Sequence, residues 1–177
     1  VKASWDELLV KHILDSLAAL PVLERLGLPL GRMADLGSGA GLPGIPLAIF
    51  LSGSSVTLVE RMERRVRFLE NQKARLGLSN VRIVQAEAER TPDGPYDLVT
   101  FRAFRPFSER KLFLGVTKLV PAGGAIAAYK GRLQTAREEL AALAEDPALG
   151  PLAARAEVLP LTVPFMDEER CLVILRE

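Results

Sequence analysis

The residues best suited to chemistry form a glycine-rich stretch between a short apolar run and the start of a predicted helix. Residues 33–44 read MADLGSGAGLPG. Glycine tolerates positive φ, and its missing Cβ lets a ligand lie against the backbone. The N-terminus of the following helix adds unpaired N–H groups and the positive end of the helix dipole. The stretch therefore predicts a loop that binds a polar, nucleotide-like cofactor.

Two acidic residues narrow the class of cofactor. Gly39, Gly41 and Gly44 have the G-x-G-x-x-G spacing of dinucleotide-binding enzymes. Asp35 precedes the first glycine of the loop by two positions, and Glu60 closes the next predicted strand, where a carboxylate can bind both hydroxyls of a ribose. This pattern resembles the S-adenosylmethionine loop of class I methyltransferases. NAD-dependent enzymes share the strand-end acid, so Asp35 does most to separate the two interpretations.

Hydrophobic spacing predicts the elements that must position this loop. A capping box at Ser4 and Glu7 opens an amphipathic helix, along which Trp5, Leu9 and Ile13 recur at helical spacing. The pattern then predicts strands at 32–36, 56–60, 81–85, 96–101 and 125–129, and helices at 43–51, 61–76, 106–119 and 133–144. Residues 156–163 and 170–175 are typical of a hairpin.

This alternation of strands and helices predicts an α/β fold. The expected architecture is a doubly wound, mostly parallel sheet that ends in an antiparallel hairpin. Class I methyltransferases, which are Rossmann-like, have this arrangement. We expect residues 1–177 to form one domain, with residues 1–30 as its N-terminal helical part.

Composition excludes several classes of protein. The 177 residues are 49% hydrophobic and 25% charged, which excludes a disordered or fibrous chain. No apolar run reaches the length of a membrane span. One histidine and one cysteine leave no zinc or iron site and no internal disulfide. We therefore expect a cytoplasmic protein without a metal ion or a membrane segment.

The residues after the predicted fourth strand bear on which atom is methylated. Ligands of open α/β sheets bind beyond the carboxyl ends of the strands. Residues 100–106 (TFRAFRP) lack the Asp/Asn-Pro-Pro-aromatic motif of enzymes that methylate exocyclic amino groups. Cys171, the only cysteine, lies in the last strand, which disfavours transfer to a pyrimidine carbon. What remains is an acceptor that is already nucleophilic, for which the ring nitrogen N7 of guanine qualifies.

Several segments together resemble one family of enzymes. They are residues 12–17 (HILDSL), 35–47 (DLGSGAGLPGIPL), 65–69 (RVRFL), 102–103 (RA), 130–131 (KG) and 170–173 (RCLV). The chain resembles, from Trp5 to Arg176, the bacterial small-subunit rRNA guanine-N7 methyltransferases, also called RsmG or glucose-inhibited division protein B. The resemblance implies S-adenosyl-L-methionine as cofactor and 16S rRNA or the small ribosomal subunit as partner.

The resemblance also implies roles for individual residues. The cofactor-binding set is Asp35, Gly37, Ser38, Gly39, Gly41, Leu42, Glu60, Ala88, Glu89 and Arg102. The catalytic set, which would line the active site and the RNA entrance, is Arg102, Lys130 and Arg170. Around Arg102, residues 102–111 interleave basic and phenylalanine side chains, which suits RNA phosphates and bases, although we expect Phe107 to be core.

Two departures from the family pattern stand out. Glu87 occupies a position where relatives commonly have arginine, and this reverses a charge near the expected path of the RNA. Relatives also carry a further segment before the tryptophan helix, so we expect residues to be missing at the start of this chain.

Other roles stay open for several of these residues. We expect His12, Asp15 and Ser16 to be packed, structural residues, and the mixed charges of residues 61–75 to form a solvated helix face. Glu60 can alternatively cap the helix that follows it. The rival functions are a small-molecule methyltransferase of the same fold, or a non-enzymatic RNA or ribosome-assembly factor that retains the cofactor loop.

Overall fold

A single mixed sheet forms the centre of the protein. The computed structural model describes residues 4–103 and 107–177. Within these ranges the strands are β1 (Arg32–Leu36), β2 (Ser55–Glu60), β3 (Val81–Gln85), β4 (Leu98–Arg102), β5 (Ala125–Lys130), β6 (Glu157–Leu161) and β7 (Arg170–Arg176). Their spatial order is β3-β2-β1-β4-β5-β7-β6. Strands β1 to β5 are parallel, whereas β7 is antiparallel to both β5 and β6.

Helices connect these strands and cover both faces of the sheet. The helices are α1 (Trp5–Leu8), α2 (Asp15–Leu17), α3 (Leu20–Arg25), α4 (Gly44–Phe50), α5 (Glu63–Leu76), α6 (Arg110–Thr117), α7 (Leu133–Ala144) and α8 (Gly150–Ala153). A π-helical turn, Leu9–Leu14, joins α1 to α2, and Ala88–Arg90 form a 3₁₀ turn. None of the helices in the described ranges is both long enough and apolar enough to cross a bilayer.

Two apolar layers hold the helices against the sheet. On one face, Phe101, Phe107 and Phe113 pack with the apolar sides of α6, α7 and α8. The rings of Phe107 and Phe113 have centroids 4.9 Å apart, and both side chains are buried as expected. On the other face, Leu23, Leu47 and the residues around them join α3, α4 and α5 to the sheet. Burial on both faces explains why the central strands read as continuous apolar runs.

The predicted fold class is confirmed, and the element boundaries show where local sequence was informative. The predicted bounds of α7 are correct. Helix α5 ends at Leu76 as predicted, and Gly77 caps it with a φ of 63°. The predicted helix 106–119 is shorter, since α6 begins at Arg110, and residues 104–106 lie outside the described part of the chain. The C-terminal hairpin is present as β6 and β7.

The N-terminal helix differs from its predicted form. An amphipathic stripe normally packs inward, yet the side chains of Trp5 and Leu9 are 86% and 50% exposed. The residues that this segment buries are Asp15 and Ser16. The π-helical turn adds a residue to one turn and so breaks the 3.6-residue repeat on which the prediction rested. Polar contacts, rather than the apolar stripe, therefore attach the segment to the sheet. The side chain of Leu76 in α5 and that of Met62, just before this helix, are also exposed, by 50% and 44%.

Close packing at the start of α4 leaves no room for a side chain at Gly44. A Cβ there would overlap Leu58 Cδ2 and lie 2.7 Å from Asp35 Oδ2. Gly44→Ala should lower the free energy of unfolding by about 1–3 kcal/mol through overpacking. Gly53→Ala is the matched control, because a Cβ at Gly53 meets nothing within 4 Å. Urea unfolding of the two variants checks the prediction, and equal stabilities would contradict it.

Candidate active site

Two clefts open at the carboxyl ends of the parallel strands. The first has a volume of about 780 Å³, and the second about 730 Å³. Residues that follow β1, β2, β3 and β4, together with the start of α6, line the first cleft. The ends of β4 and β5, the start of β7 and the N-terminal segment line the second. Ala103 belongs to both walls, so the clefts meet beside the end of β4.

The glycine loop has the backbone geometry that its sequence predicts. Gly37, Gly39 and Gly41 have φ values of 67°, 57° and 84°, a region that side chains disfavour. At Gly41 a Cβ would also lie 2.7 Å from Ile45 Cγ1. Of these glycines, Gly37 lines the first cleft. Gly39 instead donates its N–H to Glu60 Oε2 at 3.0 Å, which joins the loop to the end of β2.

Asp35 lies inside the protein and braces the loop from behind. Its side chain is buried, and Oδ2 accepts a hydrogen bond from the Gly44 N–H at 3.1 Å. No described residue donates to Oδ1, which is also buried. Burial raises the pKa of Asp35 to about 7, and the bond from Gly44 opposes that rise. Asp35 therefore fixes the strand-to-helix turn and does not line either cleft.

Glu60 accepts hydrogen bonds from two backbone N–H groups and also lines the first cleft. Its Oε1 accepts from the Met62 N–H at 2.9 Å, at the N-terminal end of α5, while Oε2 accepts from Gly39. The Nη1 atom of Arg65 lies 3.6 Å from Glu60 Oε2. Because an ionised carboxylate has about four acceptor positions, these bonds leave acceptor capacity for a ligand in the first cleft, which Glu60 lines.

The turn after β3 provides a further acceptor for the first cleft. Ala88 and Glu89 both line it, and Glu89 Oε2 is buried without a hydrogen-bond donor among the described residues. Gly115 in α6 allows this arrangement, because a Cβ there would overlap Glu89 Cβ and lie 3.1 Å from Glu89 Cα. The sequence pattern identified Ala88 and Glu89 but gave no reason to notice Gly115, whose contact is long-range. Glu87, the departure from the family pattern, also lines this cleft and is exposed.

Arginines dominate the second cleft, and a single carboxylate joins two of them. Arg102 Nη1 lies 2.9 Å from Asp15 Oδ2, and Arg170 Nε lies 3.2 Å from Asp15 Oδ1. Arg102 Nη1 also donates to the Lys11 carbonyl at 3.2 Å, and Nη2 lies 3.4 Å from His12 Nδ1. The π-helical turn and the residue that follows it thus bring Lys11, His12 and Asp15 to one wall.

Lys130 is held by a separate contact. Its Nζ lies 2.6 Å from Glu139 Oε2 in α7 and 4.2 Å from the centre of the Phe107 ring. Glu139 Oε2 also accepts from the Phe107 N–H at 3.2 Å. These contacts join Phe107 to the end of β5 and to α7, beside the second cleft.

Ala103, on the wall shared by the clefts, has an unusual backbone conformation. Its φ is 50°, in the left-handed region where a residue with a Cβ is disfavoured by roughly 1–2 kcal/mol. Such conformations concentrate at functional sites, where the surrounding structure enforces them.

The structure separates the predicted site residues into groups. Gly37, Glu60, Ala88 and Glu89 line the first cleft, and Arg102, Lys130 and Arg170 line the second. Asp35, Ser38, Gly39, Gly41 and Leu42 line neither cleft and build the loop behind the first. Arg102, which was also assigned to the cofactor, lies on the second cleft. In the described ranges no three His, Cys, Asp or Glu side chains come together in a way that could hold a metal ion.

The raised pKa of Asp35 makes the stability of the protein depend on pH. Its value is about 7 in the folded protein against an ordinary 3.8. Between these values the folded state keeps a proton that the unfolded chain has released, so this group's contribution to stability falls as pH rises from about 4 to 7. Asp35→Asn removes this loss and keeps an acceptor for Gly44. Its stability relative to wild type should rise over that range by at most about 1.4 kcal/mol per pH unit, then stay constant.

Urea unfolding of both proteins between pH 4 and pH 8 measures this difference. A difference that does not change with pH would show that Asp35 has an ordinary pKa in the folded state.

Comparison with known proteins identifies the family. A sequence model of the GidB family, described as rRNA small subunit methyltransferase G, matches residues 2–157. A Treponema pallidum protein named ribosomal RNA small subunit methyltransferase G is 41% identical over 174 residues, which cover 96% of this chain and 72% of that protein. Proteins of the same name from Methylobacillus flagellatus and Yersinia pseudotuberculosis are 37% and 38% identical, covering 96% and 97% of this chain and 75% and 77% of their own lengths.

Solved structures of methyltransferases share the fold. A precorrin-6y C5,15-methyltransferase from Geobacter metallireducens aligns with a TM-score of 0.64 at 16% identity, over 89% of this chain and 87% of its own. A SAM-dependent methyltransferase from Aquifex aeolicus also gives 0.64 at 16% identity, over 96% and 93%. At these identities the likeness concerns the fold alone. The sequence relatives go further, and they show that this chain belongs to the rRNA small subunit methyltransferase G family.

Proposed function

We propose that this protein transfers a methyl group from S-adenosyl-L-methionine to N7 of a guanine in 16S rRNA. The observation that carries the proposal is the meeting of two unlike clefts at Ala103. One has a glycine loop and free carboxylate acceptors, and the other has a concentration of cations. Their common wall is where a methyl group would pass from cofactor to acceptor. The proposed substrate places the protein in the cytoplasm with the ribosome.

The residues of the first cleft fit S-adenosyl-L-methionine. Gly37 offers backbone without a side chain, and Glu60 retains acceptor capacity for the ribose hydroxyls. Glu89 supplies a buried acceptor to which no described residue donates, and this suits the amino group of adenine beside the apolar surface of Ala88. When bound, the cofactor supplies a methyl group on a sulfonium, which a neutral nucleophile can attack.

The second cleft suits a polyanion. Its charged lining residues are the cations Lys11, Arg102, Lys130, Arg132 and Arg170 and the carboxylates Asp15 and Glu139. This excess of positive charge favours RNA phosphates and makes the affinity for RNA dependent on salt. Arginine is also the usual partner of guanine, whose O6 and N7 are both acceptors. A donor placed on O6 would orient the base and leave N7 free.

The acceptor atom determines what the side chains must do. N7 has a free lone pair at neutral pH, so no residue has to remove a proton before transfer. The residues of the second cleft therefore act by orienting the base and by setting the local charge. Arg102 immediately precedes Ala103 at the junction, and we assign it the orienting role with Lys130. We assign the RNA backbone to Arg170.

A transfer assay tests the proposed function directly. The protein is incubated with labelled S-adenosyl-L-methionine and either 16S rRNA or 30S subunits from a strain that lacks this activity. Borohydride–aniline cleavage then maps N7-methylguanine. A single labelled and cleavable guanine is the expected result. Cofactor and RNA binding without transfer would favour a non-enzymatic assembly factor, while RNA binding that is insensitive to salt would favour a small-molecule methyltransferase.

Replacement of Arg102 should separate transfer from cofactor binding. Arg102→Ala removes a charged donor from the second cleft and leaves the lining of the first cleft unchanged, apart from the neighbouring Ala103. The rate of transfer should fall at least about tenfold, and the affinity for the cofactor should change by no more than about threefold. Arg67→Ala is the matched control, because Arg67 pairs with Glu63 on the exposed face of α5. Equal rates for the two variants would overturn the role of Arg102.

Replacement of Gly115, by contrast, should weaken cofactor binding. Gly115→Ala improves the helix propensity of α6 but forces its new Cβ into Glu89. We expect the dissociation constant for S-adenosyl-L-methionine, measured by calorimetry, to rise at least about tenfold, on the order of one lost charged hydrogen bond. Gly53→Ala, at an open position, should bind like wild type. Unchanged binding by Gly115→Ala would mean that Glu89 does not contact the cofactor.

A further inference from the structure

Asp15 joins two arginines that lie far apart in the sequence. Its Oδ2 lies 2.9 Å from Arg102 Nη1 at the end of β4, and its Oδ1 lies 3.2 Å from Arg170 Nε at the start of β7. The Asp15 side chain is only 6% exposed, whereas those of Arg102 and Arg170 are 17% and 26% exposed. Each oxygen of one buried carboxylate therefore serves a different guanidinium on the wall of the second cleft.

The two arginines retain donors after these contacts. A guanidinium has five N–H groups, fixed in one plane. Arg102 uses Nη1 on Asp15 and Lys11, with Nη2 near His12, and Arg170 uses Nη1 on the Glu169 carbonyl. No described residue accepts from Arg102 Nε or from Arg170 Nη2. The carboxylate thus fixes two planes while leaving donors for a ligand.

Charge gives a second reason for a carboxylate at this place. Two mostly buried guanidinium groups on one wall repel each other, and a carboxylate between them offsets that repulsion. Methyl transfer from a sulfonium would move positive charge onto the base: the N7 lone pair would form the new bond, the electron pair of the methyl–sulfur bond would stay on sulfur, and the guanine would become cationic with no change in total charge and no proton moved. A negative charge behind the arginines counters the charge that develops on the base.

Attachment of the N-terminal segment does not by itself account for Asp15. The same segment has an independent bond to the sheet, because Tyr129 donates its hydroxyl to the Ser16 carbonyl at 2.7 Å in a buried position. Ser16 in turn donates its hydroxyl to the His12 carbonyl at 2.5 Å. A neutral hydrogen bond therefore attaches the segment to the sheet in addition to the ion pairs of Asp15.

We propose that Asp15 is a positioning residue for methyl transfer, which holds Arg102 and Arg170 in the orientation and charge balance that the acceptor guanine requires. The proposal rests on the proposed function, since it assigns the second cleft to RNA. Asp15 acts through the two arginines and does not itself contact the substrate.

Asp15→Asn tests the proposal by two measurements, because kcat should fall while the affinity for RNA should not. The amide keeps the shape of the side chain but removes the charge and one acceptor. We expect kcat to fall at least about tenfold, on the order of one charged contact. The dissociation constant for 16S rRNA should stay unchanged or decrease, because the cleft loses a negative charge. The affinity for S-adenosyl-L-methionine should remain that of wild type, and Asp15→Glu should recover part of kcat.

Ser16→Ala is the matched control for a purely structural change in the segment, because Ser16 is buried and does not line the second cleft. It removes the hydrogen bond from the Ser16 hydroxyl to the His12 carbonyl and leaves Asp15 with both arginines. This variant should lower Tm and keep kcat within about threefold of wild type. If Asp15→Asn keeps kcat within about twofold, or weakens RNA binding as it lowers Tm, Asp15 is a structural anchor and the proposal is wrong.

A double-mutant cycle with Arg170→Lys gives an independent check. If Asp15 acts through the arginines, the loss of kcat on Asp15→Asn should be several-fold smaller in the Arg170→Lys background than in wild type. Losses that simply multiply would contradict the proposal. Wild-type protein in the same assay tests the proposed function itself, and wild type that transfers no methyl group to rRNA would overturn both.

Discussion

The hydrogen bond between the buried carboxyl group of Asp35 and the Gly44 N–H fixes the turn on which the first cleft depends. It joins the last part of β1 to the first residue of α4, so the loop between them is closed from behind. The price is a carboxyl group in an apolar environment, where its pKa rises to about 7. The loop glycines can then turn toward the ends of β2 and β3, where Glu60 and Glu89 lie. Loop and acceptors together define one binding surface.

The second cleft is built on a different principle, in which charges rather than a tight turn fix the geometry. Asp15 and Glu139 each hold cations that come from other elements. These pairs connect the N-terminal segment, α7 and the ends of β4, β5 and β7. Such partly buried ion pairs contribute little net stability, because desolvation offsets attraction. Their contribution here is orientation of the cations within a cleft that would otherwise contain several mobile side chains.

Sequence predicted the parts of this molecule that depend on local constraints. The positive φ of Gly37, Gly39 and Gly41, the end of α5 at Leu76 and the bounds of α7 all follow from residue types near one another in the chain. The parallel sheet and the hairpin followed from the alternation of patterns.

Long-range contacts are what local sequence did not contain. Asp15 is buried, as expected, but its two arginine partners lie 87 and 155 residues away and could not be read from the local sequence. The contact between Gly115 and Glu89 is likewise long-range and leaves no local pattern. The apolar stripe at Trp5 is exposed because a π-helical turn changes the helical repeat. Asp35 has the residue type expected of a cofactor loop, but only burial shows that it braces the turn from behind.

Among the described residues, Ala103 is the one that lines both clefts. A ligand in one cleft that moves this residue changes the wall of the other, and linkage requires that each ligand then alter the affinity for its neighbour by the same factor. Any such movement would make the affinities for the two ligands interdependent, so that neither would be a property of one cleft alone.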